Sequence, residues 1–329
     1  MKKIEKICKV EMCLTSKCNL ACKHCYQHFD KDLFYLEKNK VLEVIDYVVS
    51  KGCSNIVLSG GEVFTRPDIY EIIGYILEKK LDLLVVTNGI LINMNKIKKF
   101  KNKLSFQISI DGCEVEHNKR RGEGSYDKTV NNIKLLRKLG FKVTVNVTID
   151  VDNYKNVIDL LEDGNFDEIT FLPVATAGAA TIYKKTHNNE LEQVIRELYL
   201  VKSAVHKKNY RCNIFPTGLS INYDGTVYPC SIARDFKLFP IGSINENKIE
   251  VIIDKFLENP DSNMFFEYKE NSQILKCINC SKENECNRGC RIRAYKTKNS
   301  LLEPDPFCCK LYKNSYKNVC FGDIYWGNL

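Results

Sequence analysis

Cys18-Asn-Leu-Ala-Cys22-Lys-His-Cys25-Tyr26 places three thiols at C-x₃-C-x₂-C spacing on one short stretch. Three thiolates can hold three irons of a cubane [4Fe–4S] cluster and leave the fourth iron open to a small molecule. A cluster that only transfers electrons normally has four cysteine ligands, so a three-cysteine loop points to chemistry at the open iron. A closed structural zinc site also wants four ligands. His24 and His28 could complete such a set, so the loop by itself leaves zinc open.

The loop sits early in a chain of 329 residues, a length for which two domains are the prior expectation. Apolar residues make up 44%, an ordinary globular content that argues against disorder. Sixteen cysteines mean disulfides in a secreted protein and metal in a cytosolic one. Met1-Lys-Lys-Ile-Glu-Lys-Ile has no long apolar run, so a signal peptide is not expected, and no stretch is long enough to span a membrane. A reduced cytoplasmic protein follows, with its thiols free to act as ligands. The formal net charge is +8, with lysines scattered among acidic residues. That pattern reads as a solvated mixed-charge surface, with some preference for acidic partners. No nucleic-acid-binding motif is present.

Residues 7–173 alternate between strand and helix patterns. The expected strands are Ile7–Thr15, Asn55–Ser59, Leu83–Thr87, Leu104–Ile110, Phe141–Ile149 and Glu168–Pro173. Between the fourth and fifth of these lies Val130, Ile133, Leu135-Leu136, Leu139 at helical spacing, closed by Gly140. Six βα units predict a parallel sheet, open or curved into part of a (β/α) barrel, with its site at the C-terminal strand ends. The Cys18 loop follows the first strand, where such a site belongs. A further helix is expected from about Asn188 to Lys207. Beyond it the chain becomes cysteine-dense, and Ser220 to Cys230 reads as a hairpin turning at Asp224-Gly225. The domain boundary is placed near residue 206, giving units 1–205 and 206–329.

The second unit carries Cys212-x₁₂-Gly225-x₄-Cys230, then Cys277-x₂-Cys280-x₅-Cys286-x₃-Cys290, then Cys308. Seven thiols do not fill two four-cysteine sites, so one site would lack a protein thiol. The x₂, x₅, x₃ ladder is unlike two zinc-ribbon pairs.

Taken together these features resemble a radical S-adenosylmethionine (SAM) enzyme with a C-terminal SPASM domain, over nearly the whole chain. The triad Cys18, Cys22 and Cys25 is similar to the family's cluster-binding signature. Leu58-Ser59-Gly60-Gly61-Glu62 resembles its glycine-glycine-glutamate motif. Ser109-Ile-Asp111-Gly112 and the following His117-Asn-Lys-Arg-Arg121 resemble its next two segments. The resemblance implies a partial (β/α)6 barrel followed by a cysteine-rich SPASM domain. It implies SAM bound to the triad's [4Fe–4S] cluster, and two auxiliary [4Fe–4S] clusters. The implied cofactor-binding set is His24, Gly60, Gly61, Glu62, Ser109 and Arg121. A turn of two glycines can approach the cofactor closely, and Glu62 can accept a hydrogen bond from the methionine amine.

The resemblance also divides the SPASM thiols in an interleaved way. Cys212, Cys230 and Cys290 are expected at the inner cluster. Cys277, Cys280, Cys286 and Cys308 are expected at the outer one, with Cys309 as the alternative to Cys308. Where some relatives carry a further cysteine, this chain has His206, which leaves His206 ligation or an open iron as two expectations. Of the remaining thiols, Cys8, Cys13 and Cys53 read as small buried hydrophobes. Cys113, just past the fourth strand, could donate a hydrogen atom to a substrate radical.

The implied function is reductive cleavage of SAM to a 5′-deoxyadenosyl radical, which abstracts hydrogen from a ribosomally made peptide and leads to an oxidative cross-link or related change. The implied partners are a peptide or small protein substrate and an electron donor such as ferredoxin or flavodoxin. The first strand begins almost at residue 1, so leader binding is expected to need a separate protein or the barrel itself. Alternatives are a sulfatase maturase, disfavoured by Ser231 where those enzymes tend to have Asp, a tetrapyrrole side-chain oxidase, and a non-catalytic metal-binding interaction protein.

Overall fold

The computed structural model describes residues 3–25, 34–101, 104–157, 167–173, 189–198, 212–270, 275–286 and 288–313. Six strands, β1 (Lys9–Cys13), β2 (Asn55–Ser59), β3 (Asp82–Thr87), β4 (Leu104–Ser109), β5 (Lys142–Ile149) and β6 (Glu168–Pro173), form a parallel run in chain order. Each lies within two residues of the span expected from the sequence at either end. The helix Ser125–Lys138 ends as anticipated: Gly140 takes φ +87°, and its N–H and that of Phe141 satisfy the carbonyls of Arg137 and Leu136. Of the helix expected from Asn188 to Lys207, Asn189–Glu197 is helical, and residues 199–211 lie outside the described set.

Alternation within the strands decides which face carries chemistry. Val10, Met12, Ile56, Leu58, Leu83, Val85, Phe106, Ile108, Val143, Val145 and Phe171 are buried in one core with Val44, Val48, Ile73, Ile76 and Ile133 of the flanking helices. The intervening residues include Glu11, Ser59, Gln107, Ser109, Thr144, Asn146 and Thr170 beside Val57, Leu84, Val86 and Leu172, so the opposite face is the one that carries the sheet's polar groups. The register sets Ser109 beside Asn146, and Asn146 beside Thr170, on that face. Successive side chains in a strand point to opposite sides, which is why one sheet serves both purposes.

The segment after residue 212 continues the same sheet. β7 (Gly218–Ile221) pairs in parallel with β1, and β8 (Thr226–Tyr228) and β9 (Gly242–Ser243) extend it antiparallel, giving the order β6-β5-β4-β3-β2-β1-β7-β8-β9. The β7–β8 turn is the expected Asp224-Gly225: Gly225 has φ +86°, and Asp224 Oδ1 accepts the Thr226 N–H at 2.9 Å. A buried Arg234 fastens this extension to the polar face. It donates to Glu11 (2.9 Å), to Ser220 (3.2 Å) and to Asp235 (2.8 and 3.0 Å). No helix among the described residues is long and apolar enough to cross a membrane.

Candidate active site

The triad loop leaves the C-terminal end of β1 and is pinned at several points. The Leu14 N–H bonds Ser59 O (2.8 Å), the Lys23 N–H bonds Arg120 O (3.1 Å), and the Cys25 N–H bonds Cys22 O (3.2 Å). Asn88, past β3, donates to Asn19 inside the loop at 2.8 Å. Cys18, Cys22 and Cys25 are all half-buried. Burial pushes the Cys18 thiol up to about 12, with Glu62, Cys22 and Cys25 adding to the rise, and it raises Cys22 as well. Thiolates are therefore costly here without a cation. Bound metal deprotonates a coordinating thiol outright, so this donor set of three soft sulfurs fits an iron–sulfur cluster. The Arg121 guanidinium lies 3.9 Å from Cys22 Sγ and lowers that thiol's pKa.

Gly60, Gly61 and Glu62 form a strap against this loop. The Gly61 N–H bonds Thr15 O and the Glu62 N–H bonds Lys17 O, each at 2.8 Å. A Cβ on Gly61 would stand 2.5 Å from Lys17 O and 2.6 Å from Ser16 O, and one on Gly60 would stand 2.7 Å from Thr15 O. The closeness that the two glycines permit in this structure is to the chain's own backbone. Backbone oxygens cannot rotate away, so Gly61→Ala is expected to cost about 1–3 kcal/mol by overpacking and to displace the triad loop. Denaturant melts and SAM affinity, measured together on the variant, check this.

Glu62 is buried (1% exposed) at the centre of that strap. Its carboxylate accepts from the Phe64 N–H (3.1 Å), the Asn88 N–H (2.7 Å) and the Thr87 hydroxyl (2.8 and 2.9 Å). A carboxylate offers about four acceptor positions, and these three donors leave one. Burial raises its pKa, while the four contacts work the other way.

Beyond the motif residues singled out from sequence, the structure adds Asp111 and Arg120. Asp111 has no exposed surface. Its Oδ2 meets Arg121 Nε (2.6 Å), His24 Nε2 (3.2 Å) and Arg120 Nε (3.7 Å), and its Oδ1 accepts the Thr148 N–H (3.1 Å). Arg120 continues to Asp150 at 2.6 Å. This network sets Arg121 against Cys22 and anchors the loop itself through His24. The acidic residue of Ser-x-Asp-Gly and the doubled arginine were the available signals. Ser109 is half-buried on the polar face. Cys113 is exposed at the start of the helix Glu114–Arg121.

His117 packs under the same network, 1% exposed, edge-on to Tyr126, with Nδ1 accepting the Asp111 N–H at 3.4 Å and Nε2 without a hydrogen-bond partner among the described residues. Burial, then Arg121, pull its pKa down to about 4. The unfolded chain then binds this proton more readily than the folded one. Stability is lost as pH falls from about 6.5 towards 4, by roughly 3 kcal/mol at full extent. His117→Gln should flatten that part of a stability–pH curve.

The C-terminal thiols gather in two places. Cys212, Cys230 and Cys290 lie within electrostatic reach of one another; burial and the other two sulfurs push the Cys230 thiol well up. Cys277, Cys280, Cys286, Cys308 and Cys309 line a cavity of about 180 Å³ together with Asp305. Among the described residues no group of three or more His, Cys, Asp or Glu is set to hold a single metal ion. A cubane does not ask for that, since each thiolate takes its own iron. Cys13 and Cys53 are buried, as expected, and Cys8 is half-buried. His206 and Cys320 lie outside the described residues.

A profile for the radical SAM superfamily matches residues 12–164, and one for the SPASM iron–sulfur cluster-binding domain matches residues 212–281. The chain thus carries a radical SAM domain followed by a SPASM domain. Radical SAM/SPASM proteins of this kind are enzymes that use SAM and iron–sulfur clusters. The AdoMet-dependent heme synthase of Methanosarcina barkeri is 26% identical, with 90% of this chain and 94% of that protein aligned. Mycofactocin maturase MftC of Mycobacterium ulcerans is 27% identical over 91% of this chain and 87% of its own. Among solved structures, Streptococcus suis SuiB bound to precursor peptide SuiA superposes with a TM-score of 0.70 at 16% identity, covering 93% of this chain and 76% of that one. That likeness establishes the fold.

Proposed function

We propose that this radical SAM/SPASM enzyme abstracts hydrogen from a ribosomally made peptide and yields an oxidised product. The observation that carries the reading is the pair of C-terminal thiol groups, joined to the barrel sheet through β7. Two further clusters there suit a net oxidation, in which an electron must leave the substrate. Cys18, Cys22 and Cys25 would hold the SAM-binding cluster. Cys212, Cys230 and Cys290 would hold the inner auxiliary cluster, and Cys277, Cys280, Cys286 and Cys308 the outer one. When bound, these groups supply a reducing electron, a hydrogen-abstracting radical from SAM, and an electron acceptor.

The chain's own residues orient and shield. Glu62 has one acceptor position left after its three internal donors, which suits the methionine amine. Ser109 offers a hydroxyl on the polar face, and Arg121, locked by Asp111, directs its charge at the loop. Peptide processing is supported by the relative named as a mycofactocin maturase and by the fold shared with a peptide-bound SuiB. Glu11 of β1 and Asp235 both pair with Arg234. The second reading, oxidation of tetrapyrrole side chains, is favoured by the heme synthase relative aligned over 94% of its length.

Anaerobically reconstituted enzyme with SAM and a strong reductant separates the two. It would be offered the peptide encoded by a short reading frame beside its gene and, in parallel, an iron tetrapyrrole with propionate side chains. Mass spectrometry should show the peptide lighter by hydrogen. Decarboxylation of the tetrapyrrole with an unchanged peptide would replace the first reading by the second.

A further inference from the structure

Asp305 sits where the two C-terminal thiol groups meet. It is 1% exposed, and its carboxylate serves both groups at once. Oδ2 accepts the backbone N–H of Cys290 at 2.6 Å, and the Cys308 thiol lies 3.4 Å from the same oxygen. Oδ1 accepts the Phe307 N–H at 3.0 Å, and the Asp305 carbonyl accepts the Cys309 N–H at 3.0 Å. Asp305 thereby caps the helix Pro306–Lys313, which carries Cys308 and Cys309. The same carboxylate receives Arg293 through Nε (3.1 and 3.2 Å) and Nη2 (2.7 Å). Arg293 belongs to the helix Arg291–Lys298, which starts directly after Cys290, and it stacks 4.8 Å over the Phe307 ring.

Residue 289 has to be small for this arrangement. Gly289 has φ +66°, and a Cβ there would stand 2.5 Å from Asp305 Cβ. Burial works against the Arg293 cation, but Asp305, followed by Cys290 and Cys308, more than restores it. One guanidinium is thus within electrostatic range of a sulfur from each thiol group. In a buried, low-dielectric setting a fixed charge acts strongly over such distances.

We propose that Arg293 and Asp305 are positioning residues that hold the two auxiliary cluster sites at a fixed separation and set their electron affinities together. The inference rests on the reading of these thiols as two cluster sites. Iron–sulfur potentials respond to net charge and to hydrogen bonding around the sulfurs. A charge shared by both sites should therefore move both midpoints in the same direction. Removing the anion should favour the reduced clusters, and removing the cation should disfavour them.

The test is a redox titration, followed by electron paramagnetic resonance, of reconstituted full-length enzyme with Asp305→Asn, Arg293→Gln and Arg293→Lys. Both auxiliary midpoints are expected to shift upward in Asp305→Asn, downward in Arg293→Gln, and to stay near the parent in Arg293→Lys. Should Arg293→Gln lose its C-terminal iron, the upward shift of both midpoints in Asp305→Asn, set against unmoved midpoints in Arg293→Lys, still decides the matter. Midpoints that do not move, movement confined to one site, or loss of C-terminal iron in all three variants would overturn the shared-charge role. A parent enzyme with no more iron and sulfide than the triad accounts for would instead refute the two-cluster reading beneath it.

Discussion

Replacing Cys18, Cys22 and Cys25 together by Ala is expected to abolish SAM cleavage while the C-terminal iron is retained. The two kinds of thiol site lie on separate segments, the triad on the loop after β1 and the others beyond residue 212. The contacts that shape the loop are mostly backbone contacts, such as Leu14 to Ser59 and Lys23 to Arg120, so three small side chains can be removed without unpicking it. The half-buried Cys18 Sγ accepts the Leu20 N–H at 3.4 Å, a bond within the loop itself. The measurements are iron and sulfide per chain and 5′-deoxyadenosine release under anaerobic reduction. Residual SAM cleavage, or loss of all the iron, would show that the triad is not an independent site. Zinc taken up by reconstituted parent protein in place of iron and sulfide would sink the enzyme mechanism altogether.

Asp111→Asn is expected to be the most damaging substitution outside the thiols. The amide keeps the shape and can still accept the Thr148 N–H, but it cannot balance Arg121 and Arg120. Breaking a buried ion pair from one side typically costs about 3–5 kcal/mol, because the remaining charge stays buried without compensation. That is a large share of the roughly 5–15 kcal/mol by which such proteins are stable. Burial alone would raise the Asp111 pKa, yet Arg121, His24 and Arg120 outweigh it and hold the carboxyl far below the ordinary range. Its stabilisation is therefore complete above the unfolded value of about 4 and is lost only as pH falls towards the folded value. The deficit of the variant, read from denaturant midpoints, should be constant near neutrality and shrink in acid. Freed from Asp111, Arg121 should also lose its fixed place against Cys22, so the spectrum of the triad cluster is expected to change. An unaltered spectrum alongside lowered stability would confine Asp111 to a structural role.

Much of this was legible before any coordinates. Segments rich in Val, Ile and Phe marked β1 to β6, because strands covered by helices need apolar residues on that face, whereas the parallel pairing of β7 with β1 was not legible in the sequence. The asymmetric Asp224-Gly225 and Gly140 positions marked a turn and a helix end through their backbone demands alone. The site was legible as a set of motifs and less so as a set of contacts. Asp111 stood inside a motif that had been singled out, but Ser109 and Arg121 drew the attention. What makes Asp111 central is four partners drawn from the triad loop, one helix and β5, and no spacing in one chain encodes that. The glycine pair was expected to make room for a ligand, and the room it makes in this structure is for Thr15 to Lys17. Asp305 lay next to no recognised pattern, since its role depends on Cys290 and Cys308 being neighbours in space.

The parallel pairing of β1 with β7 has a consequence for how the molecule is made. β1 emerges from the ribosome some two hundred residues before its partner at Gly218–Ile221. At about 5–20 residues per second of synthesis, one flank of the nascent sheet stays unpaired for roughly ten to forty seconds, with the cysteines of the triad loop already exposed beside it. Cluster delivery in the cell therefore has a defined interval in which the triad loop is present and β7 is not, and a chaperone or iron–sulfur donor acting in that interval would meet a sheet still open along β1.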